Sequence, residues 1–189
     1  MHAASVPPRA PATWGLHSGY DVMSILVYPA GIIERRPDVA VYTATRPISS
    51  ETDVAGLAFR GGPVVLTWDA VLAGAHHAHA GRNLVIHEMA HKIDFLDGAG
   101  DGTPPLPDAL SRREWARVCS DAFLAHKARA NDNRPSFMRD YAITNEAEFF
   151  AVASEVFFEQ SSEMAAALPD LYAVLRDFYR IDLATRSRR

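Results

Sequence analysis

Apolar and β-branched residues come in short runs over the first third of the chain and at helical spacing over the rest. Met23-Ser-Ile-Leu-Val-Tyr28 and Val39 to Thr45 read as strands. Leu57-Ala-Phe-Arg60 and Val64-Val-Leu-Thr-Trp68 flank Gly61-Gly62, a dipeptide that accepts the positive φ of a tight turn, so they read as a hairpin with Pro63 at a strand start. After that the period changes. Asp69 is placed to cap a short helix reaching about Leu72, and Gly81 to Leu96 reads as a longer helix ended by Asp97-Gly98. Gly98 to Pro107, rich in Gly and Pro, reads as a surface loop. Three helices follow, over Asp108 to Ala130, Asn145 to Gln160 and Pro169 to Arg180, the last with proline in its first turn. Strands gathered early and helices late predict an α+β domain rather than alternating βαβ units.

Length and composition narrow the class. A chain of 189 residues favours one domain. The boundaries expected are a tail over 1–13, where Ala and Pro dominate, a domain over 14–182, and a basic C-terminal tail over 183–189. A domain of this size needs neither disulfide nor metal simply to fold. Nineteen basic against 23 acidic residues leave a net charge of −4, with no basic cluster of the kind that grips nucleic acid. One cysteine, Cys119, excludes an internal disulfide and a thiolate zinc finger, and points to a reducing compartment. No apolar run approaches the roughly 18 residues of a bilayer span, and Met1-His-Ala-Ala-Ser-Val-Pro-Pro lacks the apolar block of a signal peptide. The expectation is a cytoplasmic protein with no membrane or nucleic-acid partner.

The candidate chemistry lies in the helix predicted over 81–96. It contains His87-Glu88-Met89-Ala90-His91, the HExxH pattern. At about 100° per residue the two histidines lie about 40° apart, so both imidazoles reach one ion, and Glu88 stands beside it as a base for an attacking water. Val85, Met89, Ile93 and Leu96 form an apolar stripe on the other side, predicted to face the core. Chance placement produces such a pentapeptide in about one or two sequences of this composition per hundred, so its setting on an apolar-flanked helix is what lends it weight. Two imidazoles with a carboxylate and one open position favour zinc, although spacing alone admits another divalent ion.

Two residues compete as third ligand. Asp97 lies six residues after His91, but the glycine that would turn the chain three residues after His91 is replaced by Asp94, which predicts a continuing helix. Glu148, in Tyr141-Ala-Ile-Thr-Asn-Glu-Ala-Glu148, is the other. It also completes a capping box with Asn145, in which its carboxylate would merely tie back to a backbone N–H. On residues alone the two roles of Glu148 stay open.

Three longer segments carry a resemblance: Gly62-Pro-Val-Val-Leu-Thr-Trp68, Ile86-His-Glu-Met-Ala-His-Lys-Ile-Asp-Phe-Leu-Asp-Gly98, and Tyr141 to Phe158. Together they resemble the Mlc titration factor A family of zinc peptidases, in the same order and over about Trp14 to Tyr179. That family is similar to the catalytic domain of lethal-factor-type toxin proteases, with which it shares a Tyr-x6-Glu element. The resemblance implies a zincin-like fold, one zinc ion held by His87, His91 and Glu148, Glu88 as general base, and Tyr141 supporting the transition state. It also implies aminopeptidase activity on short peptides and, as the alternative, a protein-binding titration factor of a transcriptional repressor.

Other residues have two readings. Tyr141 is either a transition-state donor or an ordinary core tyrosine. Asp94 and, with a weaker claim, Glu155 can orient an imidazole N–H or be solvated helix residues. His76, His77 and His79 form a loose cluster more suited to solvent than to a second metal. The Gly61-Gly62 hairpin can offer an edge strand to an extended peptide. Phe149-Phe150 and Phe157-Phe158 are expected in the core, and Cys119 as a small buried apolar group.

Overall fold

Val64-Val-Leu-Thr67 has no side chain that needs water except one hydroxyl, the composition of a strand covered on both faces. It is β5, and all four residues are buried. The computed structural model describes residues 24–29, 32–35, 51–77 and 80–185. β5 is the centre of a three-stranded mixed sheet of order β1-β5-β4. β1 (Ile25–Tyr28) runs parallel to it, and β4 (Gly56–Ala58) runs antiparallel with Gly56 opposite Leu66. The predicted hairpin is therefore present, its turn at Gly61 with φ of +65°. β2 (Ile32–Arg35) and β3 (Glu51–Val54) pair antiparallel in a second, two-stranded sheet that the pattern did not reveal. The strand expected at Val39 to Thr45 and the tail over 1–13 lie outside the described residues, as do residues 186–189 of the expected basic tail. Leu183 and Ala184 pack against the core, and the Ala184 N–H donates to the Tyr172 hydroxyl.

Six helices follow among the described residues: α1 (Trp68–His76), α2 (Leu84–Asp94), α3 (Ala109–Asn131), α4 (Glu146–Glu159), α5 (Ser161–Ala167) and α6 (Pro169–Tyr179). None is long and apolar enough to cross a membrane. Two boundaries differ from expectation. Asp69 does not cap α1, which starts two residues earlier than that cap would place it, at Trp68, and runs to His76, because Thr67 leaves β5 directly into the helix. α2 starts at Leu84, not Gly81, because Asn83 caps it by accepting from the Val85 and Ile86 N–H groups. As predicted, α2 continues past Asp94 into a 3-10 turn over Phe95–Asp97 and stops at Gly98, φ +89°. Asp108 and Asn145 cap α3 and α4 in the same manner as Asn83. α5 is a short helix that sequence periodicity missed, anchored by the fully buried Met164.

The core lies among α3, α4, α5 and α6 rather than on the sheet. Residues 149 to 157 of α4 are all buried, so this helix has no polar face over its central turns. Trp115, Phe150 and Phe178 meet edge to face with ring centroids 5.4 to 6.1 Å apart. Phe149, Phe150 and Phe157 are core as expected, while Phe158 reaches the surface with its ring against Tyr179. Cys119 is half-buried, its thiol pushed up to about 12 by burial, which makes it an inert packing group.

The apolar stripe of α2 is not its buried face. Val85 is 38% exposed, whereas His87, Glu88, Ala90, Lys92 and Asp94 are buried. α2 is clad on one side by β4 and β5 and on the other by α4. Of the stripe, Val85 at the helix start is turned outward, while Ile93 near its end packs against the core. Lys92 donates from Nζ to the carbonyls of Phe59 (2.7 Å) and Gly62 (2.8 Å), fastening the hairpin turn to α2.

Asp94 is neither an imidazole partner nor a solvated residue, as had been expected. Fully buried, it accepts from the Gly102 N–H at 2.9 Å, and the Gly102 carbonyl accepts from Trp115 Nε1 at 3.1 Å. Gly102 has φ of +81°, and a Cβ there would overlap the Glu146 carbonyl at the start of α4. Gly102→Ala is expected to cost about 1–3 kcal/mol in urea unfolding through backbone strain and displacement of that helix start. A variant as stable as the wild type would show that the loop shifts without cost.

Candidate metal and catalytic site

α2 and α4 pack against each other, and the facing turns carry the titratable residues. On α2, His87 and His91 are one turn apart with their Nε2 atoms 3.2 Å from each other. On α4, Glu148 sits in the first turn. Its backbone N–H donates to Asn145 Oδ1 at 2.9 Å, so half of the capping box is real. Its side chain has left the box: Oε2 lies 3.0 Å from His87 Nε2 and 3.4 Å from His91 Nε2.

These three atoms test whether a metal fits. A tetrahedral ion with bonds of about 2.0 Å spaces its ligand atoms about 3.3 Å apart, and the observed edges are 3.0, 3.2 and 3.4 Å. Glu148 Oε2 is buried, makes no hydrogen bond of good geometry, and has the two imidazole nitrogens as its neighbours, the setting of a ligand atom. His87, His91 and Glu148 form the one group among the described residues in which three such side chains come close enough to share an ion. Asp97 is not in it and instead accepts from the Ala99 N–H. His76 and His77 are exposed at the end of α1, and His79 lies outside the described residues.

Electrostatics follow from this crowding. Burial alone would lower the His87 pKa, but the carboxylates of Glu148 and Glu155 outweigh it and raise it to about 9. Burial works against the Glu148 charge too, and the two imidazoles overcome it, holding this carboxyl well below the usual range. Glu88 is 4% exposed and stands apart from the three ligand atoms. Burial raises its pKa. The carboxylate lies against β4 at Gly56, where a Cβ would come within 2.8 Å of Glu88 Oε1.

Tyr141 is on a 3-10 turn over Asp140–Ile143, its ring centroid 5.9 Å from that of His87. At 49% exposure it is not a core tyrosine. Burial, and then the negative Glu148 nearby, push the phenol up to about 12. It therefore remains an O–H donor at neutral pH.

Glu155 is seven residues after Glu148, hence on the same face of α4, and its Oε1 lies 2.7 Å from His87 Nδ1. It also accepts from the Asn83 N–H at 2.6 Å and from Arg139 through both oxygens. Four residues on, Glu159 accepts from the Arg82 N–H and from Asn83 Nδ2. One row of carboxylates on α4 thus holds the N-terminus of α2, where the helix dipole favours negative charge. Asn83, Gly56 and Arg139 went unnoticed in the sequence. Asn83 had a signal, a capping residue three before Ile86; the other two had none, because their roles depend on chain segments far away.

The model of a family described as glucose-regulated metallo-peptidase M90 matches residues 15–180. The chain belongs to this family. Among its relatives are Mlc titration factor A of Pectobacterium atrosepticum, 33% identical over 168 residues, covering 86% of this chain and 60% of the relative. Mlc titration factor A of Salmonella agona is 31% identical over 170 residues, covering 87% and 61%. A Synechocystis protein described as uncharacterized is 31% identical over 163 residues, covering 84% and 58%. The chain spans about three fifths of the length of these curated relatives. The family's description as metallo-peptidase and the His-His-Glu group with metal-ligand spacing agree with each other.

Proposed function

We propose that this M90 family member is a cytoplasmic zinc-dependent peptidase of zincin-like architecture that removes amino-terminal residues from short peptides. The observation that carries the reading is the near-tetrahedral set of His87 Nε2, His91 Nε2 and Glu148 Oε2 with Glu88 beside it. Zinc is the ion this donor set suits best, two imidazoles and a carboxylate with one position left for solvent or substrate. When bound, it supplies Lewis-acid activation of a water nucleophile.

The protein's own groups have the following parts. Glu155 holds the Nδ1 side of His87, so that Nε2 is presented to the ion. Glu88 accepts the proton of the attacking water on its carboxylate and passes it to the leaving amine, a transfer favoured by its raised pKa. Tyr141 donates its O–H to the oxygen on which negative charge develops. β4 lies at the end of its sheet with one edge unpaired among the described residues, and Glu88 packs against its face at Gly56. An extended peptide aligned there by main-chain hydrogen bonds brings its carbonyl to the site with little demand on sequence.

Metal analysis of the purified chain, followed by chelation and zinc return during hydrolysis of a panel of amino-acid anilides, tests the reading. One zinc per chain and hydrolysis lost and regained with it are expected; a chain that binds no zinc sinks the proposal. A second reading draws on the relatives' name: a titration factor that binds a transcriptional repressor with little catalysis. A pure binder has no use for Glu88, and this residue separates the two.

A further inference from the structure

Arg139 stands outside every motif described above, yet it reaches Glu155, His87 and Tyr141. Its Nη1 donates to Glu155 Oε2 at 2.9 Å and its Nη2 to Glu155 Oε1 at 2.7 Å, a two-pronged pairing. The same Nη2 lies 3.4 Å from His87 Nδ1. Its guanidinium carbon is 5.5 Å from the Tyr141 ring centroid. Its backbone carbonyl lies 3.1 Å from Nε2 of His126, a buried residue of α3 whose Nδ1 bonds to Ser136 Oγ.

We propose that Arg139 is a positioning residue: through Glu155 it fixes the plane of the His87 imidazole, and through its guanidinium and its anchored backbone it fixes Tyr141 over the same imidazole. The inference rests on the metallopeptidase reading and deepens it. A glutamate side chain has three torsions, and a carboxylate aimed at an imidazole must be held in plane to keep its oxygen on the N–H direction. The guanidinium fork sets that plane by occupying one lone pair on each oxygen, and the Asn83 N–H takes another on Oε2. What remains on Oε1 faces His87 Nδ1. A lysine would supply the charge without the plane. Glu155 is 1% exposed, so without Arg139 a buried carboxylate would lose its compensating cation and swing, releasing the imidazole. Tyr141 follows two residues after Arg139 on the turn whose start His126 grips, which makes the phenol's place depend on the same anchor.

The test is zinc affinity of the full chain, by competition with a chromophoric chelator, together with urea unfolding of the metal-free forms. Arg139→Gln is expected to weaken zinc binding about 10- to 100-fold, with Arg139→Lys recovering only part. Arg117→Gln, which removes an exposed arginine paired with Glu114, should bind zinc as the wild type does. If Arg139→Gln folds poorly, the double variant with Glu155→Gln removes both charges and restores a foldable pair. Zinc affinity of that double variant should equal that of Glu155→Gln alone within about twofold, since Arg139 acts through Glu155. Full additivity overturns the inference. So does Arg139→Gln that binds zinc as tightly as the wild type. A wild-type chain without zinc instead overturns the metallopeptidase reading, and this inference with it.

Discussion

Glu88→Gln is expected to keep its zinc and to lose peptide hydrolysis by on the order of 10³-fold or more. Gln has nearly the same shape, so the contact with β4 at Gly56 is kept, but it cannot accept a proton at neutral pH. Glu88 lies outside the group of three ligand atoms, which is why metal content should not change. Stability gives an independent sign. Burial raises the Glu88 pKa, so between its unfolded and folded values the native state binds more protons than the unfolded chain, and stability falls as pH rises. Removing the carboxyl group should therefore leave the metal-free protein as stable at pH 7 as before, or more so. Zinc content, kcat/KM on an anilide and a urea melt at pH 7 are the measurements. Hydrolysis within tenfold of the wild type, with zinc retained, would refute Glu88 as the base and leave the repressor-binding reading standing.

The parts of the site that could be read from sequence are those set by local geometry. His87 and His91 face one point because helix pitch demands it, and Asp94 in place of glycine kept α2 going. Glu148 could not be settled that way. The same three-residue spacing from Asn145 serves a capping box and a ligand, and the protein uses both halves separately: the Glu148 backbone takes the cap and its carboxylate takes the imidazoles. A resemblance in the longer segment pointed to the ligand role. Misreadings arose where distant chain segments decide. The stripe through Val85 matched a core-facing helix, but α2 is enclosed by strands and by α4, and its polar positions are the enclosed ones. Asp94 looked like an imidazole partner one turn past His91, yet the Gly102 loop claims it. Glu155 had the weaker claim and reaches His87 Nδ1, because α4 packs along α2 and spacing of seven returns to the same face. Arg139 shows no pattern at all until that packing exists.

Glu148→Gln is expected to weaken zinc binding by more than about 100-fold, beyond the loss caused by outer partners of a ligand, because a charged donor is replaced by a neutral one. It should also change how the metal-free protein responds to pH. His87 is raised from 6.5 to about 9, so the stabilisation it contributes is complete below pH 6.5 and is lost as pH rises through about 9. That interval corresponds to about 3 kcal/mol. Glu148 is shifted the other way, and its contribution is present above pH 4.5 and lost as pH falls toward its lowered value. The metal-free wild type should thus be most stable between about pH 4.5 and 6.5, and zinc, which must displace the His87 proton, should bind more tightly with each step in pH up to about 9. In Glu148→Gln only Glu155 still raises His87. The loss of metal-free stability from pH 6.5 to 9 should then be smaller than in the wild type, in parallel urea melts. Unchanged zinc affinity would remove Glu148 from the ligand set, and an unchanged stability profile would show that Glu155 alone holds the proton on His87.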